Sequence, residues 1–284
     1  MPKAGKLKVV ISGHRGFLGS ALVKELQTHH DIIGISRTKS QSSYKIREYL
    51  SSELDEIDEN PEIVIMCHAA VSSGNIQIDT QELYNSNVLF TSELIKHFPK
   101  AYFLFISSIS VYGNQSSVLM EETAPSPVTE YAISKLWGEE MVRQIKRHGI
   151  LRLSSLYGED MKENTIIPNY VNQALSKGCV EVWGNGERKQ NYIHVLDVVS
   201  FIKKIIENKI EGVFLGVSSK EYSNAEIAKI LSAELNILIK FTHFDNSQSV
   251  TMDNQITRKV LGITSEMDFV AGLKEYINWK QKQS

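Results

Sequence analysis

Three glycines spaced three residues apart, between an apolar run and an amphipathic helix, constrain this 284-residue chain more than any other feature. Residues 7–11 read as a buried parallel strand and residues 17–27 as the helix that follows it. The glycines fall at Gly13, Gly16 and Gly19. In such a turn Gly13 permits the tight bend, Gly16 lets a pyrophosphate approach the backbone, and Gly19 lets helix and strand pack closely. Phe17 and Leu18 then open a helix whose free N–H groups and positive dipole end suit phosphate. The unit predicts dinucleotide binding.

Strand and helix signals alternate beyond it. Residues 31–37, 63–67 and 101–107 read as strands, and residues 81–98 and 131–148 as helices. The polar stretch 41–60 carries a short strand around Tyr44 to Ile46 and a short acidic helix. This alternation predicts an α/β chain with a Rossmann-type doubly wound parallel sheet and right-handed crossovers. The small residues after the third strand, His68-Ala69-Ala70, leave room for a cofactor beside Ala69.

Charge and composition exclude several classes. Lys plus Arg is 31 against 33 for Asp plus Glu, a balance of −2, so nothing points to nucleic acid or a membrane surface. No apolar run approaches the ~18 residues that span a bilayer. Residues 1–6 lead straight into a strand, which predicts no signal peptide and a cytoplasmic protein. Cys67 and Cys179 lie in apolar, strand-like surroundings and read as buried free thiols suited to a reducing compartment. No metal site is read.

The end of the second strand distinguishes the cofactors. An acid there accepts from the 2′-hydroxyl of NAD, whereas arginine suits the 2′-phosphate of NADP. This chain has Ser36 and Arg37, with no acid nearby, and Arg15 in the glycine loop adds a second cation. NADP(H) is favoured and NAD(H) is the alternative. If neither arginine binds a ligand, both are solvated surface residues.

The chemistry falls beyond the strand ends. Ser107-Ser108 leaves the strand 101–107, and Tyr131 and Lys135, four apart, share one helix face. An ammonium near the phenol favours phenolate and lowers the tyrosine pKa from ~10 toward neutrality. With Ser108 bonded to the substrate oxygen, the trio suits proton transfer to or from an alcohol during hydride transfer.

These residues resemble the extended short-chain dehydrogenase/reductases of the nucleotide-sugar epimerase/dehydratase family, over nearly the whole chain. The matching pieces are residues 13–19, Asn87, Ser108 before Val111-Tyr112-Gly113, Tyr131 with Lys135, Arg152 to Gly158, and Gly184 to Val198. The resemblance implies that Tyr131 is the acid/base and that Lys135 lowers its pKa and holds the nicotinamide ribose. It makes Ser108 the group on the reacting oxygen and puts Asn87 in the cofactor-side network. It further implies a dinucleotide domain over residues 1–158, with later segments returning to it, and a smaller α/β substrate lobe over residues 159–284. A homodimer packed through helices 81–98 and 129–148 follows from it as well.

Departures from the family pattern narrow the activity. The family carries Arg-Asp before its aromatic-Ile-His-Val segment, the arginine gripping the sugar-nucleotide pyrophosphate; here the residues are Gln190-Asn191. Arg188 or Arg258 can supply that charge, and Asn164 and Gln190 join the substrate-side candidates. The family's dehydratases place Asp-Glu where Ile109-Ser110 stands, so a 4,6-dehydratase is disfavoured. Members that epimerise carbons beside a ketone use a cysteine and a histidine where this chain has Ile109 and about Thr165. What remains is an NADP(H)-dependent oxidoreductase acting at C4 of a nucleotide-linked sugar. A 4-keto-6-deoxy sugar reductase stands ahead of a 4-epimerase, and a non-catalytic dinucleotide-binding regulator comes third.

Overall fold

The computed structural model describes residues 6–38, 44–71, 78–115 and 117–283, so residues 1–5 and 41–43 of the reading above lie outside it. The chain begins β1 (Lys8–Ser12), α1 (Phe17–Leu26), β2 (Asp31–Ser36), β3 (Arg47–Leu50), β4 (Ile63–Met66), α2 (Thr80–Leu83), α3 (Phe90–His97) and β5 (Tyr102–Ser108). Then come α4 (Glu130–Arg143), β6 (His148–Leu153), β7 (Ser155–Tyr157), α5 (Ile166–Lys177), β8 (Cys179–Trp183), β9 (Lys189–His194) and α6 (Val195–Asn208). Last are β10 (Gly212–Gly216), β11 (Glu221–Ser223), α7 (Asn224–Leu235), β12 (Leu238–Thr242), α8 (Gln255–Leu261) and α9 (Phe269–Gln283).

Seven strands form one sheet in the order β10-β6-β5-β4-β1-β2-β3, every pairing parallel. Its central strands are apolar on both faces because helices cover both. Leu22 and Val23 of α1 and Val198 and Ile202 of α6 pack on one face, with Leu94 of α3 and Val142 of α4 on the other. The strand order reverses direction between β1 and β4, which opens a crevice beyond their carboxyl ends. A second core, built on Val171, Val182, Leu231 and Tyr276, unites α5, α7 and α9 with the small sheets β11-β9-β7 and β12-β8. Thus β10 belongs to the large sheet and α6 packs on it, although both follow residue 158.

Several elements differ from the sequence reading. The strand expected to start at Tyr44 starts at Arg47, in register with Ile33 of β2. The acidic helix is a 3₁₀ turn, Ser51–Glu56, with the Glu53 carboxylate accepting from Leu50 N–H at 2.8 Å. The helix expected to run to residue 148 stops at Arg143, because His148 Nδ1–H bonds Ile145 O at 2.7 Å and closes a local turn. Residues 152–157 fall in two strands, β6 and β7, that belong to different sheets. The break falls at Ser154, whose hydroxyl donates to Asn191 Oδ1 at 2.8 Å while β7 pairs with β9. A π turn, Tyr84–Leu89, joins α2 to α3 within the expected helix 81–98.

Candidate active site

A cavity of about 830 Å³ lies at the carboxyl ends of β1, β2 and β4, lined in part by Gly13, Gly16, Ser36, Arg37 and Ala69. Gly13 has φ +74°, and a Cβ there would lie 2.7 Å from the His68 backbone nitrogen, so the glycine loop and the β4 loop touch backbone to backbone. A Cβ on Gly19 would overlap the Gly13 carbonyl. Gly16 caps α1 with no side-chain acceptor, which leaves the first-turn N–H groups of Phe17, Leu18 and Gly19 uncapped by any side chain. The Leu18 side chain turns into the core and Phe17 packs against it, so neither side chain lines the cavity. This cradle fits a dinucleotide pyrophosphate.

At the cavity's β2 end the expectation that no acid stands near the arginines is corrected. Glu48 arrives from β3, and its carboxylate accepts from Arg15 Nη2 at 2.9 Å and from His14 Nε2–H at 2.6 Å. Glu82 of α2 accepts from Arg37 Nη1 at 2.8 Å, with both side chains exposed. Ser36 Oγ donates to Thr38 O at 3.0 Å.

Beyond β5 the reacting groups converge. Ser108 ends the strand, and Thr129 caps α4 by accepting from Ala132 N–H at 3.2 Å, so Tyr131 and Lys135 enter the helix's first two turns. Burial pushes the Tyr131 phenol up to about 12, while its hydrogen bond with Ser108 works the other way. Lys135 is nearly fully buried, with Nζ 4.2 Å from the Phe105 ring centroid. Burial draws its ammonium down to about 8, opposed by Glu139 and Cys67. The expectation that Lys135 lowers the phenol is therefore corrected for the protein alone. Burial dominates the phenol, and the ammonium lies over Phe105 with no resolved influence on Tyr131.

Other residues of the site escaped the sequence reading. Glu139, one turn beyond Lys135, is fully buried and accepts from Ser107 Oγ at 2.5 Å and from Arg152 at 3.0 and 2.7 Å. It ties α4 to the strand end that carries Ser108 and to β6. Its only sequence signal was the continued four-residue spacing from Tyr131. His68 accepts from Ser12 Oγ at 2.7 Å on Nδ1, and its Nε2–H donates to Thr91 Oγ1 at 3.0 Å, whose hydroxyl in turn donates to Asn87 O at 2.9 Å. Burial first, then Lys135, pushes His68 down to about 3, so it is neutral.

Asn87 is turned inward by the π turn. Its amide accepts from Ala70 N–H at 2.7 Å and donates to Ala70 O at 3.0 Å and Ser134 Oγ at 2.9 Å. It thereby fastens the β4 loop to α4. Cys67 lines the cavity instead of being wholly buried, and its thiol is pushed up to about 12; Cys179 is buried, and both are free.

On the substrate side, a cavity of about 320 Å³ brings Asn164, Arg188 and Gln190 together beside Ser155 and Tyr192. Gln190 Nε2 donates to Tyr192 Oη at 2.9 Å, and the buried Arg188 Nε has no partner among the described residues. Asn191, in the family's acid position, is consumed structurally: it accepts from Ser154 and from Ser218 N–H, each at 2.8 Å. Arg258 is absent from this group. It sits in α8 and is bound to Glu266 at 2.7 Å, so the substrate-side expectation for it is corrected. A third cavity of about 400 Å³, lined by Arg37, Ala69, Lys162 and Asn164, bridges the other two into one crevice. Among the described residues no helix is long and apolar enough to cross a membrane.

Comparison with known proteins fits this geometry. A putative UDP-glucose 4-epimerase of Methanocaldococcus jannaschii is 24% identical, over 97% of this chain and 99% of that protein. A dTDP-4-dehydro-6-deoxyglucose reductase of Escherichia coli is 26% identical, over 82% of this chain and 83% of that one. The solved structure of MoeE5 in complex with UDP-glucose and NAD superposes with a TM-score of 0.86 at 23% identity, covering 97% and 99% of the two chains. The model of the NAD dependent epimerase/dehydratase family matches residues 9–214, and the chain belongs to that family of enzymes.

Proposed function

We propose that this protein is an NADP(H)-dependent reductase acting at C4 of a nucleotide-linked 4-keto-6-deoxy sugar. The observation that carries this reading is the adenosine end of the cleft, where β2 closes on Ser36 and Arg37 with no carboxylate of its own facing the cavity. A consumable NADPH suits a reductase. The Arg37–Glu82 pair is exposed, so its exchange for a 2′-phosphate costs little. The E. coli relative named as a reductase supports the same direction.

When bound, a reduced nicotinamide would supply the hydride for the C4 carbonyl carbon. Tyr131 then gives its phenolic proton to the alkoxide oxygen forming at C4, for which a phenol that keeps its proton at neutral pH is suited. Ser108 donates a hydrogen bond to that oxygen. Lys135 would bond the nicotinamide ribose, and solvent returns the proton to the phenol. Asn164, Arg188 and Gln190 would hold the nucleotide diphosphate, with Arg188 supplying the charge that the family's missing arginine would otherwise supply. Ala69 would lie against the cofactor, and Asn87 supports that wall through Ala70.

A 4-epimerase is the second reading. The carboxylates on both arginines favour a cofactor without a 2′-phosphate, and the archaeal relative carries that name. Tyr131 would then first take the C4 hydroxyl proton and later return it. A homodimer through α2, α3 and α4 is part of this proposal, because Tyr84, Leu89, Ile133 and Trp137 are exposed there, and Tyr84 and Trp137 meet at 5.8 Å. A cytoplasmic setting suits the two free thiols. The test uses NADPH deuterated at the transferable position. Stoichiometric deuterium at C4 of a reduced sugar is expected; a C4 epimer formed without transfer from added NADPH would sink the reductase in favour of the epimerase.

A further inference from the structure

The adenosine end holds a charged group that the proposed chemistry leaves unused. Glu48 pairs in register with Gly34 on the neighbouring strand. Gly34 has no side chain, and the His14 ring occupies that space: a Cβ on Gly34 would lie 2.6 Å from the ring. His14 is fully buried and reaches across β2 to one Glu48 oxygen at 2.6 Å. The other oxygen holds Arg15 Nη2 at 2.9 Å. Arg15 lines the cavity and Glu48 does not.

We propose that Glu48, acting through Arg15, is the specificity-determining residue that limits preference for a 2′-phosphate and lets the site accept NADH beside NADPH. The inference rests on the dinucleotide reading above and deepens it. His14 is packed against backbone on a strand, so the carboxylate is fixed at both oxygens and stays beside the guanidinium. A 2′-phosphate at this end meets the arginine and its carboxylate together, and repulsion by the second offsets attraction by the first. A neutral 2′-hydroxyl does not feel that opposition. Arg37 differs, because its partner Glu82 is exposed on a helix and free to swing away. Attraction at Arg37 and restraint at Glu48 together yield modest selectivity.

The experiment measures dissociation constants of NADPH and NADH for the purified full chain, by quenching of tryptophan fluorescence and by calorimetry. Glu48→Gln keeps an acceptor for His14 and removes the charge. It is expected to tighten NADPH roughly tenfold, the effect of one charge on a phosphate contact, and to leave NADH within about twofold. The tightening should vanish in Arg15→Ala/Glu48→Gln. Equal changes for both dinucleotides would mean a structural role only and would overturn the proposal, as would selective weakening of NADPH. Arg15→Gln gives an independent reading should Glu48→Gln not fold. With the carboxylate left unopposed, NADPH is expected to weaken about tenfold and NADH to stay within about twofold; an NADPH loss under about threefold, or an equal loss of NADH, refutes the proposal. Wild type that binds NADPH a hundredfold tighter than NADH refutes this proposal while leaving the reductase intact. Wild type that binds neither refutes both.

Discussion

Replacing Glu139 by alanine exposes how much of this active site depends on one buried carboxylate. Glu139 is fully buried and accepts from Ser107 at 2.5 Å, from Arg152 at 3.0 and 2.7 Å, and from Arg143 at 3.3 Å. Arg152 is itself buried and lies 4.7 Å from the Tyr112 ring centroid, with no solvent to take over its charge. Deleting one partner of such a pair leaves an uncompensated interior cation and costs about 3–5 kcal/mol. That is a large part of a total of roughly 5–15 kcal/mol. The melting temperature should fall by about 10 °C, and the urea midpoint should drop with an unchanged slope. Glu139→Leu/Arg152→Met, which leaves no buried charge, should recover most of the loss. A single variant within about 1 kcal/mol of wild type, or a double variant that loses more than the single, would refute the reasoning.

Other consequences are open to direct measurement. Tyr131→Phe should abolish turnover, a loss of at least about a thousandfold, and leave NADPH affinity within about threefold, since Tyr131, one of the cofactor-side candidates with Lys135, loses only the hydroxyl that moves the proton. Arg37→Ala should weaken NADPH by roughly tenfold and NADH hardly at all, read by titration; equal losses would count against the 2′-phosphate assignment. His68 is held near 3 in the native state against 6.5 when free. The unfolded chain therefore binds more protons between those values, and stability falls as pH drops from about 6.5 toward 3. His68→Asn should flatten that acid limb in urea titrations. Lys135 stays near 8 when folded against 10.5, so its contribution to stability rises with pH between about 8 and 10.5, and Lys135→Met should remove the rise. Trp137→Lys should convert a dimer to monomer in light scattering, and no change in mass would exclude that face.

Local features were legible in the sequence, and features that join distant segments were not. The glycine loop, the placement of Tyr131 and Lys135 on one helix, and the alternating strands each depend on spacings of a few residues. Pairing of Arg15 with Glu48 spans 33 positions and of Arg37 with Glu82 spans 45, so the cations were visible and their counter-charges were not. Arg258 was an attractive cation by composition, but Glu266, eight residues on, engages it away from the cleft. Asn164, Arg188 and Gln190 do share a cavity, because β7, β9 and the start of α5 converge there. The π turn that points Asn87 inward breaks the 3.6-residue period on which helix reading depends. Burial is also a property of the fold, which is why the expected shift of the Tyr131 phenol came out with the opposite sign.

The central claim is net reduction at C4. The measurement that tests it most directly is NADPH consumption on mixing the pure protein with a panel of nucleotide-linked 4-keto-6-deoxyhexoses, with the sugar product analysed alongside. Stoichiometric NADPH loss accompanied by a C4 alcohol is predicted for one member of the panel. No net loss, together with C4 epimers formed from ordinary nucleotide hexoses, would contradict it.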